Sequence, residues 1–171
     1  IIQKASGQPL EIFLKQNIFD PLGMKSSFAY NLKMKQCPGE RAMGFIMRDS
    51  TPSPFDLNYL DGVMGDGNVY CSAEDLFIWD QALYTEKLVK KAALALAFTP
   101  GKLNNGSSTD YGFGWGLSGD QKSVRHTGAW VGFRSFIYRD MSKNSALIIL
   151  DNSTNRYFSQ ITRTLFEYVI N

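Results

Sequence analysis

The residues that could do chemistry form one short block, His126, Thr127 and Gly128, at the end of an expected strand. Such a block offers an open edge that can pair with an extended substrate. The imidazole of His126 can exchange a proton, the hydroxyl of Thr127 can bind a carboxylate, and the glycine lets a ligand approach the backbone closely. The amide of Ala129 is a candidate oxyanion donor. Taken alone the triplet is weak, because a lone histidine on a strand is also typical of a structural residue.

The sequence argues against other kinds of site. His126 is the single histidine, which excludes a multi-histidine metal site, and no ligand spacing links it to Cys37 and Cys71. Those cysteines could form one disulfide or remain two thiols. The GDG triplet at Gly65–Gly67 lacks the third glycine and the preceding strand of a phosphate loop. We therefore predict no metal and no cofactor.

Composition bounds the remaining options. The chain has 171 residues, 44% of them hydrophobic and 20% charged, which excludes a disordered polymer and a disulfide-stapled mini-protein. A net charge of +2 gives no electrostatic footprint for nucleic acid, so no nucleic-acid partner is expected. No stretch approaches the roughly 20 apolar residues that cross a bilayer. The length favours one domain.

Helical periodicity and capping residues predict the helices. Asp20-Pro21 and Gly23 are expected to end the first helix, and the hydroxyl of Ser72 to cap the second at the amide of Asp75. The predicted helices are Pro9–Ile18, Ser72–Tyr84, 88–98 and Tyr157–Ile170.

The strands are expected after residue 110. Residues 25–68 show little periodicity and are expected to form a long connection. Helices first, an antiparallel meander next and a covering helix last predict an α+β fold. Residues 1–110 form the helical and loop part, and 111–171 the strands and the last helix, of one domain spanning 1–171. The predicted strands are 111–117, 123–127, 133–139 and 145–150, the last two joined by a turn at 141–144.

Several blocks of the sequence resemble a known family. They are IIQKASGQPLEIFLKQNIFDPLGMKSS, MGDGNVYCSAEDLFIWDQAL, YGFGWGL, RHTGAWVGFRSFIYRD and ALIILDN, in that order. Together they are similar to the serine β-lactamase-like, penicillin-binding-protein-like family, in its class C β-lactamase, D-Ala-D-Ala carboxypeptidase and esterase branch. The resemblance covers essentially all of the chain.

The resemblance implies nucleophilic acyl transfer. In this family a Ser-x-x-Lys pair attacks the substrate, a Tyr-x-Asn motif assists proton transfer, and a Lys/His-Thr/Ser-Gly strand binds the substrate. His126, Thr127 and Gly128 take the three positions of that strand, and the Ala129 amide takes the oxyanion position. The implied partner is an acyl substrate, with β-lactam, D-Ala-D-Ala peptide and ester all left open. Histidine in place of lysine favours the esterase or peptidase-like branch, and the family predicts a periplasmic or exported protein.

Two of the three motifs are missing from the sequence. No serine has a lysine three positions later, and no tyrosine has an asparagine two positions later. Ser142-Lys143-Asn144 imitates a Ser-x-Asn motif but lies in the expected hairpin turn. Ile1 to Gly7 reads as the last turn of a helix. We therefore expect the C-terminal portion of an incomplete β-lactamase/transpeptidase-like fold, with no nucleophile and no activity alone.

Two alternatives stay open. In one, the chain is a complete, non-catalytic module that binds peptide or cell-wall fragments along the HTG strand; in the other, the HTG triplet is accidental. The resemblance also implies that strands from the missing part would cover the last strand. Without them, Ser145–Leu150 is an apolar, uncharged edge from which self-association is expected.

Overall fold

The computed structural model describes residues 1–49 and 51–170. Its first helices are α1 (Ile2–Ser6), α2 (Leu10–Leu14) and α3 (Asp20–Leu22), with a π-helical segment, Lys15–Phe19, between the last two. The expectation that Asp20-Pro21 ends the helix is wrong, and Gly23 alone ends it. The wider π turn lets Pro21 open a new α-helical segment, where its missing N–H is not needed.

The segment 25–68 is more ordered than expected. It contains β1 (Phe28–Ala29), the hairpin strands β2 (Phe45–Arg48) and β3 (Thr51–Pro54), and a 3-10 helix, Tyr59–Gly62. Strand β1 pairs with β4 (Val69–Tyr70), and β2 pairs antiparallel with β3. The two prolines of β3 hid the hairpin from the sequence, although proline is tolerated where a strand lies at an edge.

Two helices follow, and the capping prediction for the first is confirmed. The Ser72 hydroxyl accepts a hydrogen bond of 3.1 Å from the Asp75 N–H at the start of α4 (Ala73–Ala82). Helix α5 (Lys91–Ala97) is shorter than predicted. The helices pack on a core in which Leu83, Trp115 and Val124 are buried.

The main sheet has the order β5-β6-β7-β8 over the described residues, all antiparallel. Its strands are β5 (Gly116–Leu117), β6 (Ser123–Trp130), β7 (Phe133–Asp140) and β8 (Ser145–Asp151). The meander prediction is confirmed, but the prediction of a strand over 111–117 is mostly wrong. Residues before Gly116 form a tight turn, in which the Gly112 N–H donates to the Trp115 carbonyl at 2.8 Å.

The sheet is covered on both faces. On one face the Arg139 side chain of β7 and Asp80 of α4 form a buried ion pair, with the guanidinium 4.7 Å from the Tyr84 ring centroid. On the other face α6 (Phe158–Ile170) packs edge-on through Phe166 against Tyr138, with ring centroids 4.7 Å apart. This is the α+β layout that the sequence predicted. No helix of the described residues is long and apolar enough to span a membrane.

Candidate functional site at the open end of strand β6

The structure places the four candidate residues in sequence on β6, from His126 to Ala129. Because side chains alternate along a strand, His126 and Gly128 share one face of the sheet, and Thr127 and Ala129 share the other. His126, Thr127 and Ala129 are exposed, and Gly128 is half-buried. The polar groups predicted to meet a substrate are therefore accessible.

The backbone of β6 bonds alternately to its two neighbours. On the β7 side, the Met141 N–H donates to the Lys122 carbonyl at 2.9 Å. The backbone N–H and C=O groups of the even-numbered residues of β6 therefore point toward β7. On the β5 side, the Ser118 N–H donates to the Ser123 carbonyl at 3.0 Å. The backbone N–H and C=O groups of the odd-numbered residues of β6 therefore point toward the β5 side.

Strand β5 is too short to cover that side of β6. Its pairing ends where Gly116 faces Arg125. The N–H groups of Thr127 and Ala129 consequently point toward a side that no strand of the described chain occupies. An extended ligand could pair there by adding a strand, and the Ala129 N–H is available as an oxyanion donor.

Gly128 has a packing role besides the one inferred from the sequence. It lies opposite Ser135 of β7 on the same face of the sheet. A Cβ at position 128 would lie 2.3 Å from the Ser135 Oγ, closer than real side chains approach. A larger residue at position 128 would therefore require the Ser135 side chain to rotate away, whereas glycine leaves that hydroxyl where it is.

Sequence reasoning missed the partner of the histidine. The His126 Nε2 atom lies 2.8 Å from the hydroxyl oxygen of Tyr111, and their rings are tilted by 57° with centroids 6.2 Å apart. The contact is thus a hydrogen bond at the ring edge and not a stack. Tyr111 opens the YGFGWGL block, so that block was the available signal, but nothing in its spacing specified His126.

A second missed contact holds the end of β6. The Trp130 indole N–H donates to the Asp61 carboxylate at 2.7 Å, and Asp61 is only 3% exposed. The other carboxylate oxygen of Asp61 accepts from the Asn58 N–H at 2.6 Å, which caps the 3-10 helix. The contact ties the 3-10 helix to the strand end directly after Ala129.

A cleft of about 680 Å³ opens between these elements. Gly128, Ala129 and Trp130 form one wall, and residues of β1 and β4 form another. Within the second wall, burial raises the pKa of the Tyr70 phenol and raises that of the Cys71 thiol to about 11, so both stay protonated at neutral pH. Cys37 and Cys71 are both free thiols.

An ion pair lies beside the same cleft. The Arg41 guanidinium contacts both carboxylate oxygens of Asp56, one at 2.7 Å, and its centre lies 5.4 Å from the Tyr70 ring centroid. Burial alone would raise the pKa of Asp56, but the hydrogen bonds from Arg41 and from the Gly44 N–H outweigh it and hold that pKa below its usual range. The ion pair with Asp56 thereby holds the Arg41 side chain in place on the wall of the cleft.

Among residues 1–49 and 51–170, no serine hydroxyl hydrogen-bonds to the histidine ring. Several serine hydroxyls instead donate to nearby carboxylates at 2.6 to 2.8 Å and stabilise turns and helix starts. These pairs are Ser27–Asp75, Ser118–Asp120, Ser142–Asp140 and Ser153–Asp151. The described residues also contain no cluster of His, Cys, Asp and Glu that could hold a metal ion.

Comparisons with known proteins agree with the resemblance. The family model described as Beta-lactamase matches residues 1–168. Penicillin-binding protein 4* of Bacillus subtilis strain 168 is 36% identical over 165 residues, which cover 89% of this chain but only 37% of that protein. The chain therefore spans little more than a third of this curated relative.

Solved structures match the fold to a similar extent. The octameric penicillin-binding protein homologue from Pyrococcus abyssi superimposes with a TM-score of 0.73 at 25% identity, covering 90% of this chain and 36% of that one. The penicillin-binding protein from Bacillus halodurans superimposes with the same TM-score at 18% identity, covering 97% and 52%. The second likeness supports the fold alone.

Proposed function

Because the chain belongs to the beta-lactamase family, we propose that it supplies the substrate-binding strand of a serine acyl-transfer enzyme and no nucleophile of its own. The observation that carries this proposal is the open side of β6. There His126, Thr127 and Ala129 are all exposed, and the strand continues through Gly128 and Ala129 into the wall of the cleft. A carbonyl substrate would pair with this edge, with Thr127 on its carboxylate and the Ala129 N–H on its carbonyl oxygen.

The proposed inactivity of the chain alone follows from its sequence. No Ser-x-x-Lys pair is present. The Ser118 and Ser142 hydroxyls donate to Asp120 and Asp140, and hydrogen bonds from these serines lower the pKa of both carboxylates, which makes them weak bases. Without a nucleophile there is no acyl intermediate, and the loss of such a group typically lowers the rate by several orders of magnitude. The substrate class, whether β-lactam, D-Ala-D-Ala peptide or ester, depends on groups beyond these residues.

The test compares this chain with a polypeptide extended by the sequence that its gene encodes upstream. Both are treated with a fluorescent penicillin and with a fluorophosphonate probe. We expect covalent labelling of the extended polypeptide only. Labelling of both would contradict the absence of a nucleophile, and labelling of neither would contradict acyl transfer.

The role of Thr127 is tested in the extended polypeptide. Thr127→Val should slow labelling by the penicillin about 10-fold to 100-fold, the effect of losing one hydrogen bond to a charged group. Thr164→Val, on an exposed position of α6, serves as the matched control and should leave the rate unchanged. Equal rates for the two variants would remove Thr127 from the site.

The second candidate is a non-catalytic binding module, which the same open edge and the lack of Ser-x-x-Lys favour. It predicts that this chain alone binds a peptide ending in D-Ala-D-Ala reversibly. A titration followed by NMR would then shift the backbone amide signals of Thr127 and Ala129 without any covalent adduct. Binding by this chain together with no labelling of the extended polypeptide would favour the module over the enzyme.

We also propose that the chain self-associates through β8. This strand lies at the edge of the main sheet, and residues 145–150 carry no charge. Sedimentation velocity over a concentration series should show dimers or larger species. Leu150→Lys, at a side chain that is 41% exposed, should reduce them, since a charge on an edge strand opposes pairing. A single monomeric species at every concentration would contradict the proposal.

A further inference from the structure

The histidine of the open edge is held by one neighbour. Within the described chain the partner of the His126 ring is the Tyr111 hydroxyl, 2.8 Å from Nε2, and no carboxylate contacts the imidazole. In a neutral imidazole one ring nitrogen carries the hydrogen and the other accepts. The state of Nε2 toward Tyr111 therefore fixes what the other nitrogen, Nδ1, can offer.

Tyr111 is itself placed by its backbone. Its carbonyl accepts from the Gly101 N–H at 3.0 Å and from the Thr109 hydroxyl at 2.9 Å, and Tyr111 forms a bridge with Gly116 of β5. A Cβ at the next residue, Gly112, would lie 2.1 Å from the Ala97 carbonyl oxygen. The turn thus packs directly on the end of α5.

These contacts indicate that the YGFGWGL block does more than pack against α5. Tyr111 as a whole is 44% exposed, so burial of this residue does not explain why the turn is held from several sides. The result of this arrangement is a hydroxyl fixed against the edge of the His126 ring. A phenol donates readily to the unprotonated nitrogen of an imidazole.

We propose that Tyr111 is a positioning residue, whose hydroxyl donates to His126 Nε2 and holds the neutral imidazole as the Nδ1–H tautomer. The Nδ1–H group is then the donor presented toward a substrate on β6. The relevance of this tautomer to catalysis rests on the proposed function, in which His126 is part of the substrate-binding strand. The tautomer itself is a property of this chain and is measured without any substrate.

The test uses the fact that His126 is the only histidine. Long-range ¹H–¹⁵N correlation spectra of the labelled chain, recorded at a pH where the ring is neutral, report which nitrogen carries the hydrogen. We expect the Nδ1–H form to dominate in the wild type. In Tyr111→Phe, which removes only the hydroxyl, the ratio of Nδ1–H to Nε2–H should fall about threefold to tenfold, the factor that one net hydrogen bond produces.

The control is Tyr168→Phe, since Tyr168 is 84% exposed on α6. Tyr168→Phe should keep the wild-type ratio of the two tautomers. A change in that ratio would mean that removing any tyrosine hydroxyl alters it. A wild type dominated by Nε2–H, or equal ratios in Tyr111→Phe and the wild type, would overturn the proposal. Failure of the labelling experiment would instead overturn the proposed function and leave this result intact.

Discussion

Strand β6 differs between its two ends. At the anchored end, Ser123–Arg125, Val124 is 1% exposed and packs in the core with Trp115, next to the buried pair of Arg139 and Asp80. At the open end, His126–Trp130, most side chains are exposed, and of the strands that the structure describes only β7 pairs with the backbone. The core therefore holds the strand at its first residues, and the last residues remain accessible to a ligand. Stability and ligand binding should respond to substitutions at different ends.

The largest effect is expected at the anchored end. Asp80→Asn leaves the Arg139 guanidinium buried without its counter-charge, which should lower the free energy of unfolding by about 3–5 kcal/mol. Urea unfolding followed by circular dichroism measures this. The control is Asp20→Asn, which breaks the exposed Lys15–Asp20 pair and should cost under about 1 kcal/mol. Similar losses in both variants would mean that the buried pair does not anchor the sheet.

The next prediction compares the two ends within one strand. Val124→Ala removes buried methyl groups and should cost about 2 kcal/mol of unfolding free energy. Thr127→Ala removes a methyl and a hydroxyl at an exposed position and should cost less than about 0.5 kcal/mol. Both are measured by urea unfolding. A larger cost at Thr127 would show that the open end carries the fold.

Some of this contrast could be predicted from the sequence. The Ser72 cap and the β7–β8 hairpin were correct because their signals are local: a hydroxyl before a helix and two apolar runs around a short turn. The pair of His126 with Tyr111 and that of Trp130 with Asp61 could not be predicted. The first pair joins residues 15 positions apart and depends on how the loop folds around its glycines. The second joins residues 69 positions apart and depends on where the 3-10 helix lies.

A smaller effect is expected from the contact that holds the open end. Trp130→Phe removes the indole donor to Asp61, whose buried carboxylate then keeps the Asn58 N–H as its donor within the described residues. The cost should be about 1.5 kcal/mol, the lower part of the range for hydrogen bonds to charged groups. Tyr59→Phe, at an 86% exposed position of the same 3-10 helix, should be neutral in the same urea unfolding experiment. A neutral Trp130→Phe would mean that this contact does not hold the strand end.

The smallest effect concerns pH and the ion pair beside the cleft. The pKa of Asp56 is lowered in the folded chain, so its stabilising contribution is complete above its usual pKa and is lost as the pH falls through the lowered value. Between about pH 5 and pH 2 the wild type should therefore lose about 1 kcal/mol more than Asp56→Asn. Thermal unfolding at a series of pH values measures the difference. Parallel curves for the two proteins would contradict it.

The three tryptophans are divided between the two ends of the strand. Trp79 and Trp115 stack at the anchored end with centroids 6.0 Å apart, and Trp115 is 7% exposed, whereas Trp130 at the open end is 47% exposed. The chain thus carries two optical reporters. Iodide should quench Trp130 first, and a ligand arriving on β6 should change its emission while the stacked pair continues to report only whether the core is intact.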